Sequence, residues 1–189
     1  MTDILTPIVH QIDAVRQCGS TVLVAIEGRC ASGKSTLAAR LGKHYGCPII
    51  HMDEFFLRPE QRTPERYATP GENIDHERFL EGVLLPIRRG QTVSYRPYNC
   101  QLQQLGEQVS LPASPIYIVE GSYSCHPALR HHYDLRLFLT VAPAEQLRRI
   151  TERNGPAYAE VFRDRWIPLE EAYFAACGVE ACCDSVYCT

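Results

Sequence analysis

Lysine is scarce in this chain of 189 residues, which has 19 basic side chains but only two lysines, Lys34 and Lys43. The formal net charge is -3, so bulk charge favours neither nucleic acid nor a membrane surface as a partner. No apolar run is long enough to span a bilayer. Residues 1–16 lack the basic and apolar blocks of a signal peptide and instead show the spacing of a surface helix. We therefore expect a cytoplasmic protein.

Repeats, low-complexity segments and C-x-x-C pairs are also absent. Without a linker to divide it, the chain is predicted to form a single domain over residues 1–189. The nine cysteines are expected to be thiols, because a cytosolic protein rarely holds a disulfide framework. Cys30 differs from the other cysteines because it lies beside Lys34 and a helix N-terminus, which predicts a lowered pKa and reactivity toward oxidants.

Short apolar segments alternate with helical patterns along most of the chain. Runs of strand length occupy residues 21–27, 47–52, 116–120 and 135–141, and helical patterns occupy residues 37–45 and 143–153. Continuous apolar strands that alternate with helices indicate a parallel sheet covered on both faces. The predicted fold class is therefore α/β, with a doubly wound parallel sheet and helices on both faces.

A region rich in proline, arginine and tyrosine, roughly residues 57–115, interrupts this alternation. Within it, residues 92–95 and 107–111 could pair as a hairpin across a turn-prone stretch. We interpret the region as a small inserted subdomain that covers one edge of the sheet.

Residues 28–35 (GRCASGKS) match the pattern G-x-x-x-x-G-K-S/T, between a predicted strand and a predicted helix. Glycines allow the backbone to turn so that its N–H groups surround phosphate oxygens, and the following helix adds its N-terminal dipole. This context predicts a P-loop NTPase fold that binds ATP. The expected nucleotide-binding residues are Gly28, Ala31, Ser32, Gly33, Lys34, Ser35 and Thr36.

Two acidic residues follow predicted strands, Asp53 after the second and Glu120 at the end of the third. The carboxyl ends of parallel strands open onto the ligand crevice beside the phosphate loop. A carboxylate there can hold Mg²⁺ or take a proton from an attacking hydroxyl. Either acid could instead be a solvated residue at a strand end.

Other P-loop classes lack their signatures here. The chain has no Asn-Lys-x-Asp base-reading motif of GTPases and no Leu-Ser-Gly-Gly-Gln stretch of transport ATPases. Kinases of small molecules are left as the favoured class. In such a kinase, the inserted region 57–115 would cover the active-site edge of the sheet and bind the phosphate acceptor.

Several segments together resemble the uridine kinase and phosphoribulokinase group. Besides the phosphate loop, the similar segments are residues 51–56, 73–76, 95–100, 119–121 and 147–153. The resemblance runs from about residue 22 to residue 174. It implies a phosphotransferase that uses ATP and Mg²⁺ and has an alcohol group as acceptor.

The resemblance also implies roles for individual residues. Asp53 would be the catalytic base, Asp75 would bind ribose hydroxyls, and Tyr98 would pack on the nucleoside. Arg149 and Arg153, four residues apart on one helix, would close over the transferring phosphoryl group together with Lys34. Ser35 and Glu120 would hold the magnesium ion. By its position alone, Asp75 could instead cap a helix that begins near His76.

The acceptor remains open from the sequence. After Tyr98, residues 101–105 contain neither the histidine nor the arginine that follow in the uridine kinases. A ribonucleoside such as uridine is the first candidate, and pantothenate, nicotinamide riboside and a sugar phosphate are alternatives. A non-catalytic nucleotide-binding protein is the competing class. The sequence is compatible with a homo-oligomer and does not separate ATP from GTP as donor.

Overall fold

The computed structural model describes residues 4–17 and 21–189 of the chain. The strands are β1 (Val22–Gly28), β2 (Ile49–His51), β3 (Val93–Tyr95), β4 (Tyr98–Asn99), β5 (Gln104–Leu105), β6 (Val109–Leu111), β7 (Ile116–Glu120), β8 (Leu135–Thr140) and β9 (Ser185–Cys188). The α-helices are α1 (Leu5–Arg16), α2 (Lys34–Tyr45), α3 (Pro64–Ala68), α4 (His76–Phe79), α5 (Leu85–Arg88), α6 (Pro143–Asn154), α7 (Pro156–Val161) and α8 (Ile167–Cys177). Single π-helical turns, Leu80–Leu84 and Phe162–Trp166, join α4 to α5 and α7 to α8.

The main sheet has five strands in the order β2-β7-β1-β8-β9, and every neighbouring pair is parallel. Apolar side chains alternate between its faces because successive residues of a strand point in opposite directions. Val22, Val24 and Ile26 face α1 and α2 in one core cluster. Leu23 and Ala25 face the other cluster, which includes residues of α4, α5 and α8. The predicted doubly wound α/β sheet is therefore confirmed.

The inserted region forms small antiparallel pairs beside this sheet. β3 pairs with β6 in the predicted hairpin, with Val93 opposite Leu111, and β4 pairs with β5. β3 packs on the π-helical turn between α4 and α5, so the insertion shares the second core cluster with the main sheet.

The main sheet differs from the sequence expectation at β2 and β9. β2 is shorter than residues 47–52, and Asp53 lies in the 3₁₀ turn Met52–Phe55 that follows it. The sequence analysis also did not predict β9, which extends the sheet beside β8. Among the described residues, no helix is both long and apolar enough to cross a membrane.

Candidate active site

The predicted phosphate loop lies between β1 and α2 at the carboxyl edge of the sheet. Gly28 has a φ of 136°, and a Cβ atom there would lie 2.0 Å from the carbonyl oxygen of Leu139. Only glycine fits this position, because β1 and β8 approach closely there. Lys34 Nζ donates to the carbonyl oxygens of Gly28 at 2.7 Å and Arg29 at 2.9 Å, which holds the ammonium group over the loop.

The loop also contains a buried hydroxyl group that fits a phosphate oxygen. Ser32 Oγ is fully buried and has no hydrogen-bond partner among the described residues. A buried polar group without a partner costs about 1–3 kcal/mol. A phosphate held at the N-terminus of α2 would supply that partner. Ala31, Gly33, Ser35 and Thr36 line the same cleft, whose volume is about 1470 Å³.

Glu120 is held at the cleft by two neighbours. Ser35 Oγ lies 3.2 Å from both of its carboxylate oxygens, and His51 Nδ1 lies 2.6 Å from one of them. The hydrogen bond to the Glu120 carboxylate raises the pKa of His51. Hard oxygen donors at this position fit a magnesium ion that takes its remaining ligands from phosphate and water. His51 belongs to the family-like segment 51–56, but the sequence did not predict its contact with Glu120.

Asp53 lies two residues beyond His51, which pairs with Glu120 across β2 and β7. Its side chain opens onto the cleft, and the cleft walls raise its pKa by desolvation, with the Glu120 carboxylate adding to the effect. A carboxylate with a raised pKa accepts a proton more readily than an ordinary aspartate. The geometry therefore allows Asp53 to act as a base beside the phosphate loop.

Arg149 and Arg153, the two arginines predicted to close over the phosphoryl group, line the cleft. Arg149 donates to Glu145 at 2.8 Å and to the carbonyl oxygen of Ala31 at 3.2 Å. Arg153 is exposed and donates to Asn154 at 2.8 Å. Sequence reasoning missed three further arginines that line the cleft, Arg40, Arg62 and Arg165. The Arg165 guanidinium lies 4.6 Å from the centre of the Trp166 ring.

Asp75 and Tyr98 are buried and do not line the cleft. Asp75 caps α4 by accepting the backbone N–H of Arg78 at 3.2 Å, and it also lies 3.3 Å from the Arg78 side chain. Its alternative role as a helix cap is thus the one this structure displays. The Tyr98 hydroxyl accepts a hydrogen bond from Arg62 at 2.8 Å. As contacts of the acceptor, both residues stay predictions.

The residues that line the cleft instead include Asn73, Tyr123 and Glu170. Tyr123 has a φ of 76°, in the left-handed region that favours glycine. Such backbone strain, about 1–3 kcal/mol, tends to persist at functional sites. The Asn73 side chain lies within hydrogen-bonding reach of the Tyr123 hydroxyl. The sequence signals were indirect, since Asn73 is the first residue of the segment 73–76 and Tyr123 follows the segment 119–121.

Glu27 holds the strained loop from inside the core. Its carboxylate accepts the backbone N–H groups of Gly28, Tyr123 and Cys125 at 2.9, 3.2 and 3.0 Å, and the Tyr173 hydroxyl at 3.1 Å. Complete burial raises the pKa of Glu27 to about 7. One side chain therefore links the phosphate loop to the loop after β7.

The lowered pKa predicted for Cys30 is wrong. Burial and the nearby Glu170 carboxylate raise the pKa of Cys30 to about 12, so the nucleophilic thiolate is disfavoured at neutral pH. Proximity to Lys34 was visible in the sequence, whereas the acidic residue brought by α8 was not.

Glu72, His76 and His126 form a cluster of ligand-type side chains outside the cleft. The two imidazole rings stack with their centres 4.1 Å apart. The Ala128 N–H donates to His126 Nδ1, so the proton of the neutral ring lies on Nε2. That arrangement suits hydrogen bonds to Glu72 and disfavours a metal bond at Nε2.

The parallel sheet, the loop between β1 and α2, and the acids at the strand ends define an α/β protein of the P-loop NTPase class. No family model matches the chain. Uridine-cytidine kinase C of Dictyostelium discoideum is 25% identical over 178 residues, which cover 79% of this chain. The chain spans only 38% of the length of that curated relative.

Solved structures agree on the fold. A putative fructose transport system kinase from Silicibacter sp. TM1040 superposes with a TM-score of 0.71 at 22% identity, covering 95% of this chain and 97% of that one. A possible uridine kinase from Bacillus stearothermophilus gives 0.64 at 17% identity, covering 96% and 99%. The resemblance to the uridine kinase and phosphoribulokinase group of P-loop kinases is confirmed.

Proposed function

We propose that this protein is a kinase that transfers the γ-phosphate of ATP to a hydroxyl group of a small metabolite, with a ribonucleoside such as uridine as the first candidate. The observation that carries the proposal is the convergence of Lys34, Ser35, Asp53 and Glu120 at one edge of the sheet. A protein that only senses nucleotide would need the phosphate loop but not an acid placed as a base beside it. The cytoplasmic location stays a prediction.

In the proposed reaction, Asp53 accepts the proton of the acceptor hydroxyl. The acceptor oxygen forms a bond to the γ-phosphorus while the bond from that phosphorus to the bridging oxygen breaks, and ADP leaves. Lys34 and the loop amides stabilise the charge of the transferring group, and Arg149 and Arg153 would close over it. Positioning and electrostatics supply most of the rate in such transfers.

Ser35 and Glu120 are the residues that would hold a magnesium ion, directly or through water. When bound, Mg²⁺ would neutralise negative charge on the phosphates. The 3.2 Å contacts between the Ser35 hydroxyl and the Glu120 carboxylate support this pairing.

The acceptor is the open part of the proposal. The curated relative is described as a uridine-cytidine kinase, while solved structures of similar fold include a putative fructose transport system kinase and a D-glycerate 3-kinase. Pantothenate, nicotinamide riboside and a sugar phosphate therefore stay candidates beside uridine.

The test is ADP release from ATP and Mg²⁺, with and without uridine, cytidine, nicotinamide riboside, pantothenate and simple sugars. We expect one acceptor to stimulate release, and the stimulation to disappear in Lys34→Ala. If ATP binds but no acceptor of the panel stimulates release, the chain behaves as a nucleotide-binding protein without transfer, and the proposal fails for these acceptor classes.

A further inference from the structure

One carboxylate on α8 touches both loops of the candidate active site. Glu170 Oε2 accepts the backbone N–H of Cys30, in the phosphate loop, at 3.0 Å. Its other oxygen, Oε1, accepts the hydroxyl of Ser122, in the loop that follows β7. A side chain from the last α-helix thus bridges two segments that are far apart in sequence.

The two loops that Glu170 joins serve different partners in the proposed reaction. Cys30 belongs to the phosphate loop. Ser122 lies two residues beyond Glu120, and Asp53 lies two residues beyond His51, its partner across β2 and β7. Ser122 and Asp53 therefore leave neighbouring strands at the same edge of the sheet, and we call the loop after β7 the acceptor-side loop because it lies beside the proposed base. The Ser122 hydroxyl also lies 3.4 Å from the carbonyl oxygen of Gly28, so the two loops meet directly as well as through Glu170.

Burial of the Glu170 carboxylate costs free energy. Glu170 is only 7% exposed, and no basic side chain of the described ranges 4–17 and 21–189 lies within ion-pair distance of it. Its neighbour Glu171 offers a contrast, since it is half exposed and accepts from Nε and one terminal nitrogen of Arg29 at 2.7 and 3.0 Å. Burial of an unpaired charge costs stability, so stability alone does not account for Glu170.

We propose that Glu170 is a positioning residue that holds the phosphate loop and the acceptor-side loop in register through its hydrogen bonds to Cys30 and Ser122. The inference rests on the proposed kinase function. Misplacement of reacting groups by about 1 Å can cost about 100-fold in rate, so a rigid bridge between the two loops has catalytic value.

Two substitutions separate the hydrogen bonds from the negative charge. Glu170→Gln keeps an oxygen that accepts from Cys30 N–H and adds an amide that donates to Ser122 Oγ, so both contacts survive without the charge. Glu170→Met keeps the length of the side chain but makes neither contact. Because Cys30 and Ser122 are both partly exposed, water can satisfy them in the methionine variant.

The experiment compares wild type, Glu170→Gln, Glu170→Met and the control Glu171→Gln, using the acceptor that the ADP-release panel identifies. We expect kcat/KM to fall about 100-fold in Glu170→Met and to stay within about 5-fold of wild type in Glu170→Gln. The Tm of Glu170→Met should stay within about 3 °C of wild type, because replacing a buried charge by an apolar group of similar size is often neutral. Glu171→Gln should change kcat/KM by no more than about 3-fold.

A double-mutant cycle with Ser122→Ala keeps the inference testable if Glu170→Met folds poorly. Because Glu170→Gln keeps the contact to Ser122, Ser122→Ala should lower kcat/KM by a similar factor in wild type and in Glu170→Gln if the bridge acts through Ser122, whereas no loss in either background would overturn the bridge. Equal losses in Glu170→Gln and Glu170→Met would show that the charge matters and would overturn the bridge. Wild-type activity in Glu170→Met would also overturn it.

A binding measurement separates this inference from the proposed function. Titration calorimetry with ADP and Mg²⁺ requires no transfer, and the Cys30 contact predicts weaker binding in Glu170→Met, by about 5-fold, with recovery in Glu170→Gln. If no acceptor is phosphorylated by wild type, the kinase proposal fails, while this binding series still supports or overturns the bridge at the phosphate loop.

Discussion

The phosphate half of the cleft comes from one uninterrupted run, residues 28–36, whereas the rest of the cleft brings together segments around Asp53, Asn73, Tyr123 and Glu170. In the first half the proposed nucleotide contacts would come mostly from the backbone, and glycines at fixed spacing are enough to shape it. In the second half the proposed acceptor contacts would come from side chains of distant elements, and their meeting depends on the whole fold. The comparison indicates that the proposed donor site is built locally along the chain and the proposed acceptor site is built by the whole fold.

The largest expected effect is on the turnover of Asp53→Asn, which tests whether the two halves of the cleft act separately. Asp53→Asn keeps the shape of the side chain but removes the proton acceptor, so turnover should fall about 10²–10⁴-fold. ATP affinity should stay nearly intact, because the phosphate loop is untouched. Single-turnover rates and ATP binding by calorimetry measure the two quantities.

Loss of ATP affinity in Asp53→Asn would contradict this division and make Asp53 chiefly a magnesium ligand. A matched control is Asp75→Asn, which removes a buried carboxylate that does not line the cleft. Because asparagine can still cap α4, that control should lower stability by about 1–3 kcal/mol through the lost charge partner of Arg78 and Arg58, more than it lowers turnover per folded molecule.

A smaller effect tests which tyrosine serves the acceptor. Tyr123 lines the cleft and Tyr98 does not, so Tyr123→Phe should raise the acceptor KM about 10-fold, the usual worth of a lost hydrogen bond. Tyr98→Phe removes only the bond from Arg62 and should change the acceptor KM by no more than about 3-fold. Steady-state kinetics with varied acceptor measure both. A larger effect at Tyr98 would restore the role that the family resemblance implies for it.

The smallest effect concerns Glu27, which joins the two halves from the core. Its folded pKa, raised to about 7, lies above the ordinary value of 4.5. The folded state therefore binds this proton more tightly than the unfolded state. That contribution to stability is full below pH 4.5 and is lost as pH rises through about 7.

Urea unfolding of wild type and Glu27→Gln at pH 5 and pH 8 measures the contribution. Since glutamine does not titrate, the free energy of unfolding of wild type should decline relative to Glu27→Gln by about 1–3 kcal/mol between these two pH values. The opposite trend would mean that the four donors around Glu27 outweigh burial and favour the ionised carboxylate.

Sequence reasoning succeeded where a feature depends on neighbouring residues. The phosphate loop, the apolar strands of the sheet and the β3–β6 hairpin all follow from local patterns. It missed β9, since residues 185–188 are short and carry only one β-branched residue. It missed the contact between Cys30 and Glu170 because 140 residues separate them.

The same reasoning explains why Asp75 and Tyr98 differ from their expected places at the cleft. Their local motifs resemble the family, but arginines of the insertion engage them, with Arg58 and Arg78 beside Asp75 and Arg62 beside Tyr98. Motif similarity predicts residue types, but it does not predict which other side chains the tertiary structure places beside them.

The scarcity of lysine has a consequence for chemical labelling. Lys43 is exposed on α2, whereas Lys34 is 8% exposed and held by two carbonyl oxygens of the phosphate loop. An amine-selective acylating reagent therefore meets two lysines of opposite character, an open reference site and a shielded site at the loop. The ratio of modification at Lys34 to that at Lys43 would report, within a single molecule, how often the loop opens and how far nucleotide protects it.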